Sequence, residues 1–419
     1  MMKYKNKDYY IFPLFTLWFV ASPILSTQET ADPDAGYVLG LLVPILLFGL
    51  SHLKLVFKPY HISAILMWLM CVCSSYLGPF SYDTNVMTIV KYLTFVIFFI
   101  VVSNYKFTGK DLTLFIKGYI ILATAVAILI FLSYLGGYQH VGQDGFGGTN
   151  IYLGRYSIGV TGLYKNPNYL ASFICLAVLF VLYFLKETKL SFIWRTLCVG
   201  VVVLYYLACF LTGARIALIV LTLILIGLYS TSFFNFLSFK KLVVPLLAAF
   251  GIYYIYSETI GQMMDLYLAG REMFGDDGRE QAWALAFKYA GENFFFGCGA
   301  DAWHNLTLGR AALNNLHNVL LEFFLNQGVV GFCLLAYTLF GGYTKSKRAD
   351  RPLLMMIFLV TAIPLCFQNG VIAVNFWRLI IINRLALNYS ILSEDGLAAL
   401  FKKINYKNDK RNFKKSLIS

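Results

Sequence analysis

Residues 317–343 read HNVLLEFFLNQGVVGFCLLAYTLFGGY, 27 residues with one carboxylate, Glu322, and no lysine or arginine. Crossing a hydrocarbon layer takes about 20 mainly apolar residues, so this run is a membrane span. It opens on His317-Asn318. Asn326-Gln327-Gly328 interrupts it and Gly328-Val329-Val330-Gly331 resumes it. A helix broken at membrane depth is tolerated where it lines a cavity or is covered by protein. The stretch therefore predicts both the fold class, a bundle of membrane helices, and a place to look for chemistry.

The rest of the chain agrees. Of 419 residues, 59% are hydrophobic and 13% charged, with a mean hydropathy of +0.68, whereas soluble domains carry about 25% charged residues. Twelve apolar runs qualify as spans: about 9–26, 37–53, 60–77, 86–103, 112–135, 169–185, 196–212, 215–230, 242–257, 317–343, 352–369 and 371–388. The fold class expected is all-α, a polytopic bundle of about twelve transmembrane helices with a long extracytoplasmic loop containing short helices. The first run lacks a small-residue cleavage site and reads as a retained helix.

Orientation follows from where the basic residues fall. One set of loops holds 23 of the 34: Lys3, Lys5, Lys7, Lys54, Lys58, Lys106, Lys110, Lys186, Lys189, Arg195, Lys240, Lys241, Lys345, Lys347, Arg348, Arg351 and seven from Lys402 onwards. The alternate loops hold seven: Arg155, Lys165, Arg215, Arg271, Arg279, Lys288 and Arg310. The first set is expected in the cytoplasm, which puts both termini inside. The net charge of +13 is spread over many short loops and does not suggest nucleic acid. Four basic residues lie within apolar runs, Lys91, Lys117, Arg378 and Arg384. Lys117 and Arg384 sit near cytoplasmic ends, where they are expected to snorkel. Arg378 is deeper, either functional or paired inside the bundle.

Two outer segments are long. The first, about 136–168, ends Thr161-Gly162-Leu163-Tyr164-Lys165-Asn166-Pro167-Asn168, a turn leading into span six. The second, about 258–316, carries four basic and eight acidic residues, so its arginines are specific positions in an acidic segment. The expected organisation is residues 1–160 as the first five spans and an outer loop, 161–343 as the catalytic region including 258–316, 344–394 as the last spans, and 395–419 as a basic cytoplasmic tail.

No ATP or nucleotide sugar reaches the outer face, so an enzyme there needs a substrate that carries its own energy. A lipid diphosphate-linked sugar fits. Asp277 is placed to cap a helix with Glu280 at its third position, which puts Arg279 in a first turn that favours an anion. Trp283 and Phe287 follow at i+4 and i+8 and are expected to press against the membrane surface or polyprenyl chains. The competing view is an amphipathic connector with a solvated arginine. Thr212-Gly213-Ala214-Arg215 forms a tight hairpin, and Arg215 is either an interface anchor or part of a diphosphate clamp, for which the guanidinium fork is suited. His317 has the setting of a general base; the other histidines lack one. Asp276-Asp277 needs no metal once Asp277 caps, and the eight cysteines, seven in apolar runs, show neither a disulfide framework nor zinc spacing. Neither a metal nor another cofactor is expected.

Four elements in order resemble the O-antigen ligase and polymerase superfamily of bacterial envelope enzymes. Thr161–Asn168 resembles its TG-x-x-x-NPN segment, and Thr212–Arg215 its [ST]-G-[SA]-R turn. Gly278-Arg279 with Trp283 resembles GR-x-x-x-W. His317-Asn318 with Gly328–Gly331 resembles HN-x-x-L…G-x-x-G. One departure is visible: where relatives show Asn-Pro-x-x-Gly-x-Gly, this chain has Asn293-Phe294-Phe295-Phe296-Gly297-Cys298-Gly299, which leaves the local turn open. The resemblance implies inverting, metal-independent transfer of a glycan from undecaprenyl diphosphate. It implies Arg279 and Arg215 on the diphosphate and His317 on the acceptor hydroxyl as catalytic residues. Asn318, Trp283, Asn166, Asn168, Arg155, Lys165 and Glu322 are the expected substrate-binding residues. The expected activity is a surface polysaccharide polymerase, with a ligase to lipid A core or another acceptor as the alternative. A lipid-linked sugar transporter or flippase is the alternative of a different class, against which the lack of internal repeats counts. Expected partners are the lipid-linked glycan, its acceptor, membrane lipid and chain-length regulator or flippase proteins.

Overall fold

The computed structural model describes residues 55–80, 86–105, 107–135, 167–188, 190–211, 215–236, 279–307, 316–367 and 374–401. In chain order its α-helices are α1 (Pro59–Leu77), α2 (Val86–Asn104), α3 (Gly109–Leu135), α4 (Pro167–Glu187), α5 (Phe192–Leu211) and α6 (Arg215–Phe236). There follow α7 (Arg279–Glu292), α8 (Ala302–Thr307), α9 (Val319–Phe340), α10 (Arg351–Ala362) and α11 (Val374–Leu392), with short 3-10 turns around α10. No strand occurs among the described residues. Six helical segments there are long and apolar enough to cross a membrane: Pro59–Leu77, Val86–Asn104, Gly109–Leu132, Phe192–Phe210, Val319–Lys345 and Arg348–Cys366. The chain is a helical membrane protein. Nine of the twelve expected spans meet a helix; those at 9–26, 37–53 and 242–257 lie outside the described residues.

The chain divides into two compact units, 1–122 with 277–419, and 123–276. In the second unit α4 packs against α5 and α6, and α5 against α6. Every residue from Phe173 to Leu182 in α4 is at most 4% exposed, as expected of a helix apolar on all sides. Polar groups here find partners within the unit: Thr124 Oγ1 lies 2.9 Å from the Tyr205 hydroxyl, and Lys186 Nζ donates to the Leu228 carbonyl at 2.8 Å.

In the first unit α9 runs against α1, and α7, α8 and α11 also contact it, while α2 packs on α1 and α11. Trp377 of α11 stacks on Phe95 (5.3 Å between rings, 9° between planes) and meets Tyr92 edge-on. Helix α11 is more polar than the other long helices, and several of its polar side chains find partners inside the bundle. Asn383 Nδ2 donates to the Leu379 carbonyl and to Thr361 Oγ1. Arg378 is buried and reaches the Tyr119 hydroxyl at 3.4 Å, consistent with pairing. Arg384 does not snorkel. It is buried, with its guanidinium 3.4 Å from the Tyr60 ring centroid, and donates to the Gly341 carbonyl at 2.7 Å and to Asn388 Oδ1 at 3.0 Å. A helix end supplies free carbonyls, and the one at Gly341 faces inward. Asp350, also buried, accepts from Ser390 Oγ and from the backbone N–H of Leu397 and Ala398.

Candidate functional site

Helix α9 begins where the polar pair predicts. Asn318 is its N-cap: the residue is extended (φ −154°, ψ 96°), and its Oδ1 accepts from the Leu321 N–H at 3.0 Å. Glu322 lies in the first turn, where the helix dipole favours a carboxylate. His317, just before the cap, is half-buried and has φ +51°. Such a left-handed backbone is uncommon for a residue with a Cβ, costs on the order of 1–3 kcal/mol, and persists only where the surroundings enforce it.

The expected break falls at Gly328, with φ 63° and ψ −165°. In an unbroken helix the Val329 N–H would bond the Leu325 carbonyl and the Val330 N–H that of Asn326. Both bonds are open, and all four groups are satisfied by one segment of the preceding loop. Leu325 O accepts from Cys298 N at 2.8 Å and Asn326 O from Gly299 N at 3.0 Å. Val329 N donates to Phe294 O at 2.8 Å and Val330 N to Phe295 O at 3.2 Å. The turn forms without the proline: Gly297 N closes on Asn293 O at 2.8 Å, and Gly297 and Gly299 take φ of +73° and +99°. A Cβ on Gly299 would stand 2.7 Å from the Cα of Ser75, so the segment is pressed against the end of α1 as well. Ser75 Oγ accepts from the Ala300 N–H at 2.8 Å.

Helix α7 is described from Arg279, which places Arg279 in its first turn; Asp276 and Asp277, with the proposed cap, lie outside the described residues. Ala282, Ala286 and Ala290, one helical turn apart, are buried against Leu316, Leu321 and Leu325. Their small side chains let α7 approach the start of α9 closely. Trp283 and Phe287 do not share a membrane-facing role. Phe287 is 59% exposed, while Trp283 is half-buried and its indole N–H donates to the Leu316 carbonyl at 2.9 Å. Cys298 is buried, and burial, with Glu292 nearby, pushes its thiol up to about 11, so it is not a thiolate nucleophile at neutral pH. Among the described residues Asp301 is the other with a Cβ and positive φ (+58°); it accepts from Thr88 Oγ1 at 2.5 Å, and burial raises its carboxyl above the usual range.

The structure thus brings α7, which begins with Arg279 and carries Trp283, together with His317, Asn318 and Glu322 in one unit. Arg215 opens α6 and Asn168 lies in the first turn of α4, both in the other unit. Arg155, Lys165 and Asn166 lie outside the described residues. Residues 293–301, absent from the expected site, prove central to its architecture. Their signal was Gly297-x-Gly299, since glycine alone readily takes the positive φ of this turn and admits the close backbone approach made there.

Residues 200–336 match the family model described as O-Antigen ligase. Over this region, about a third of its length, the chain is similar to that family. That region holds Arg215, all of α7 and α8, His317-Asn318 and the Gly328 break. No curated protein matches the chain. The matched region lies among helices long and apolar enough to cross a membrane.

Proposed function

We propose that the protein transfers a glycan from undecaprenyl diphosphate to an acceptor hydroxyl on the outer face of a bacterial inner membrane. The observation that carries this is His317: a half-buried imidazole in a strained backbone conformation, held immediately before a capped membrane helix and in the same unit as Arg279. Strain kept at a titratable side chain points to function. His317 removes the acceptor hydroxyl proton as that oxygen bonds the anomeric carbon. The bond from that carbon to the diphosphate breaks, and undecaprenyl diphosphate leaves with the electron pair. Arg279 and Arg215 stabilise the charge growing on it. Asn318, Glu322, Asn166, Asn168, Arg155 and Lys165 line or support the substrates, and Trp283, expected among them, holds the Leu316 carbonyl instead. No metal is assigned a role.

The acceptor is the next lipid-linked repeat unit, which makes the protein a surface polysaccharide polymerase working beside flippase and chain-length regulator proteins. A second reading is a ligase to lipid A core or another acceptor, and the description of the matched family favours it. Deletion of the gene followed by analysis of surface glycan decides between them. A polymerase leaves a single repeat unit on an intact core; a ligase leaves full-length polymer on undecaprenyl diphosphate. Unchanged glycan in both fractions refutes glycan transfer. Orientation is tested with reporter fusions. Fusions at Lys241 and Lys347 should report cytoplasm and one at Gly291 the outer face; an external signal at Lys347 refutes the placement.

A further inference from the structure

We infer that Trp283 is a positioning residue for His317. The inference rests on the proposed role of His317 and goes beyond it by naming what holds that side chain in place. The Leu316 carbonyl and the His317 N–H belong to one peptide plane. Trp283 Nε1 donates to that carbonyl at 2.9 Å across 33 residues of sequence, so the indole fixes the plane about which the φ of His317 is set. On the other side, Asn318 Oδ1 takes the Leu321 N–H at 3.0 Å and Asn318 O the Glu322 N–H at 2.9 Å. His317 is the joint between these two clamps, and it alone of the three residues 316–318 has positive φ. Leu316 is 1% exposed and packs with Ala282, Ala286 and Leu321, so its carbonyl does not depend on solvent for orientation.

Without the indole donor, the plane is released and the backbone of His317 relaxes toward negative φ, which swings the imidazole away from the acceptor oxygen. A displacement of about 1 Å at a reacting group costs roughly a hundredfold in rate. Trp283 also lies one helical turn after Arg279 on α7. The same rigid helix therefore carries the first diphosphate-binding arginine and the tether of the base.

The test uses the full chain in proteoliposomes with purified lipid-linked donor. Trp283→Phe keeps a ring and removes the N–H. An isosteric benzothienyl side chain at position 283 removes the N–H with the indole shape retained, and guards against a packing defect. Both should lower kcat about ten- to a hundredfold with donor KM and donor binding unchanged. Introduced into His317→Ala, either change should cost nothing further, because the residue it positions is gone. A parental rate for the benzothienyl variant overturns the inference. So does the same fold-loss in the His317→Ala background, or a loss that appears in donor binding, either of which would make Trp283 a substrate contact or a packing residue. If His317→Ala itself transfers at the parental rate, the role of His317 in the proposed function falls, and the inference falls with it; failure of the cycle with His317→Ala inactive removes the inference alone.

Discussion

Gly328→Ala should unfold the site, because the break in α9 admits no Cβ. The backbone there (φ 63°, ψ −165°) lies in a region that essentially only glycine occupies, so strain alone costs about 1–3 kcal/mol. The added carbon would also stand 2.6 Å from Phe294 O and 2.6 Å from Phe295 O. These are the two carbonyls that accept from Val329 and Val330. They cannot retreat without releasing those N–H groups inside the protein, and each hydrogen bond lost contributes roughly 0.5–1.5 kcal/mol. The total, about 2–6 kcal/mol from strain and two bonds, is a large part of a typical stability of about 5–15 kcal/mol. The assay is thermal unfolding of detergent-purified protein together with its steady-state level in the membrane. Gly291→Ala is the control: nothing lies within 4 Å of a Cβ there, so it should melt at or slightly above the parental temperature. If Gly328→Ala melts with Gly291→Ala, the loop segment does not hold the break in the way described.

Three further outcomes are expected. Arg279→Lys and Arg215→Lys keep the charge and lose the fork, and each should lower transfer by about ten- to a hundredfold in the proteoliposome assay; full activity of Arg279→Lys refutes a forked contact, and full activity in chelator is expected throughout. His317→Gln should lose roughly two to four orders of magnitude in rate with donor binding intact, since an amide orients a hydroxyl without taking its proton. Burial holds the carboxyl of Asp301 and the thiol of Cys298 above their ordinary ranges, Cys298 at about 11. The folded state therefore keeps these protons longer than the unfolded chain, so each group makes stability fall as pH rises from its ordinary value to its folded one. Asp301→Asn should flatten the decline on the acidic side and Cys298→Ala the one between about pH 9 and 11, read from melting temperature against pH; unchanged profiles refute the burial of these groups.

The local parts of this architecture were legible in the sequence. Apolar runs locate helices because length and composition alone decide a span, and Gly328 beside Asn326-Gln327 marks the break because both are anomalous in an apolar run. The start of α9 falls at the polar pair His317-Asn318 that opens the apolar run, while the cap expected for α7, Asp277, lies outside the described residues. What fills the break was not legible. Phe294, Phe295, Cys298 and Gly299 contribute main-chain groups, which every residue possesses, to partners about 30 residues away. Arg384 was misread for a different reason: sequence gives its depth along the helix but not its face, and the face it occupies holds Tyr60 and the Gly341 carbonyl. Trp283 was placed with Phe287 by helical spacing, yet one indole hydrogen bond separates their surroundings.

The exchange of open helix bonds between residues 294–299 and 325–330 has a consequence for anyone building chimeras. A polar loop between two spans is usually the natural piece to cut and graft. Here the loop and the following membrane helix are two halves of one backbone lattice, and each leaves the other with unpaired groups if moved alone. A foreign loop spliced before His317 would deprive Leu325, Asn326, Val329 and Val330 of their partners. The transplantable unit therefore has to include both 294–299 and α9, and a swap between related chains would have to carry the two together.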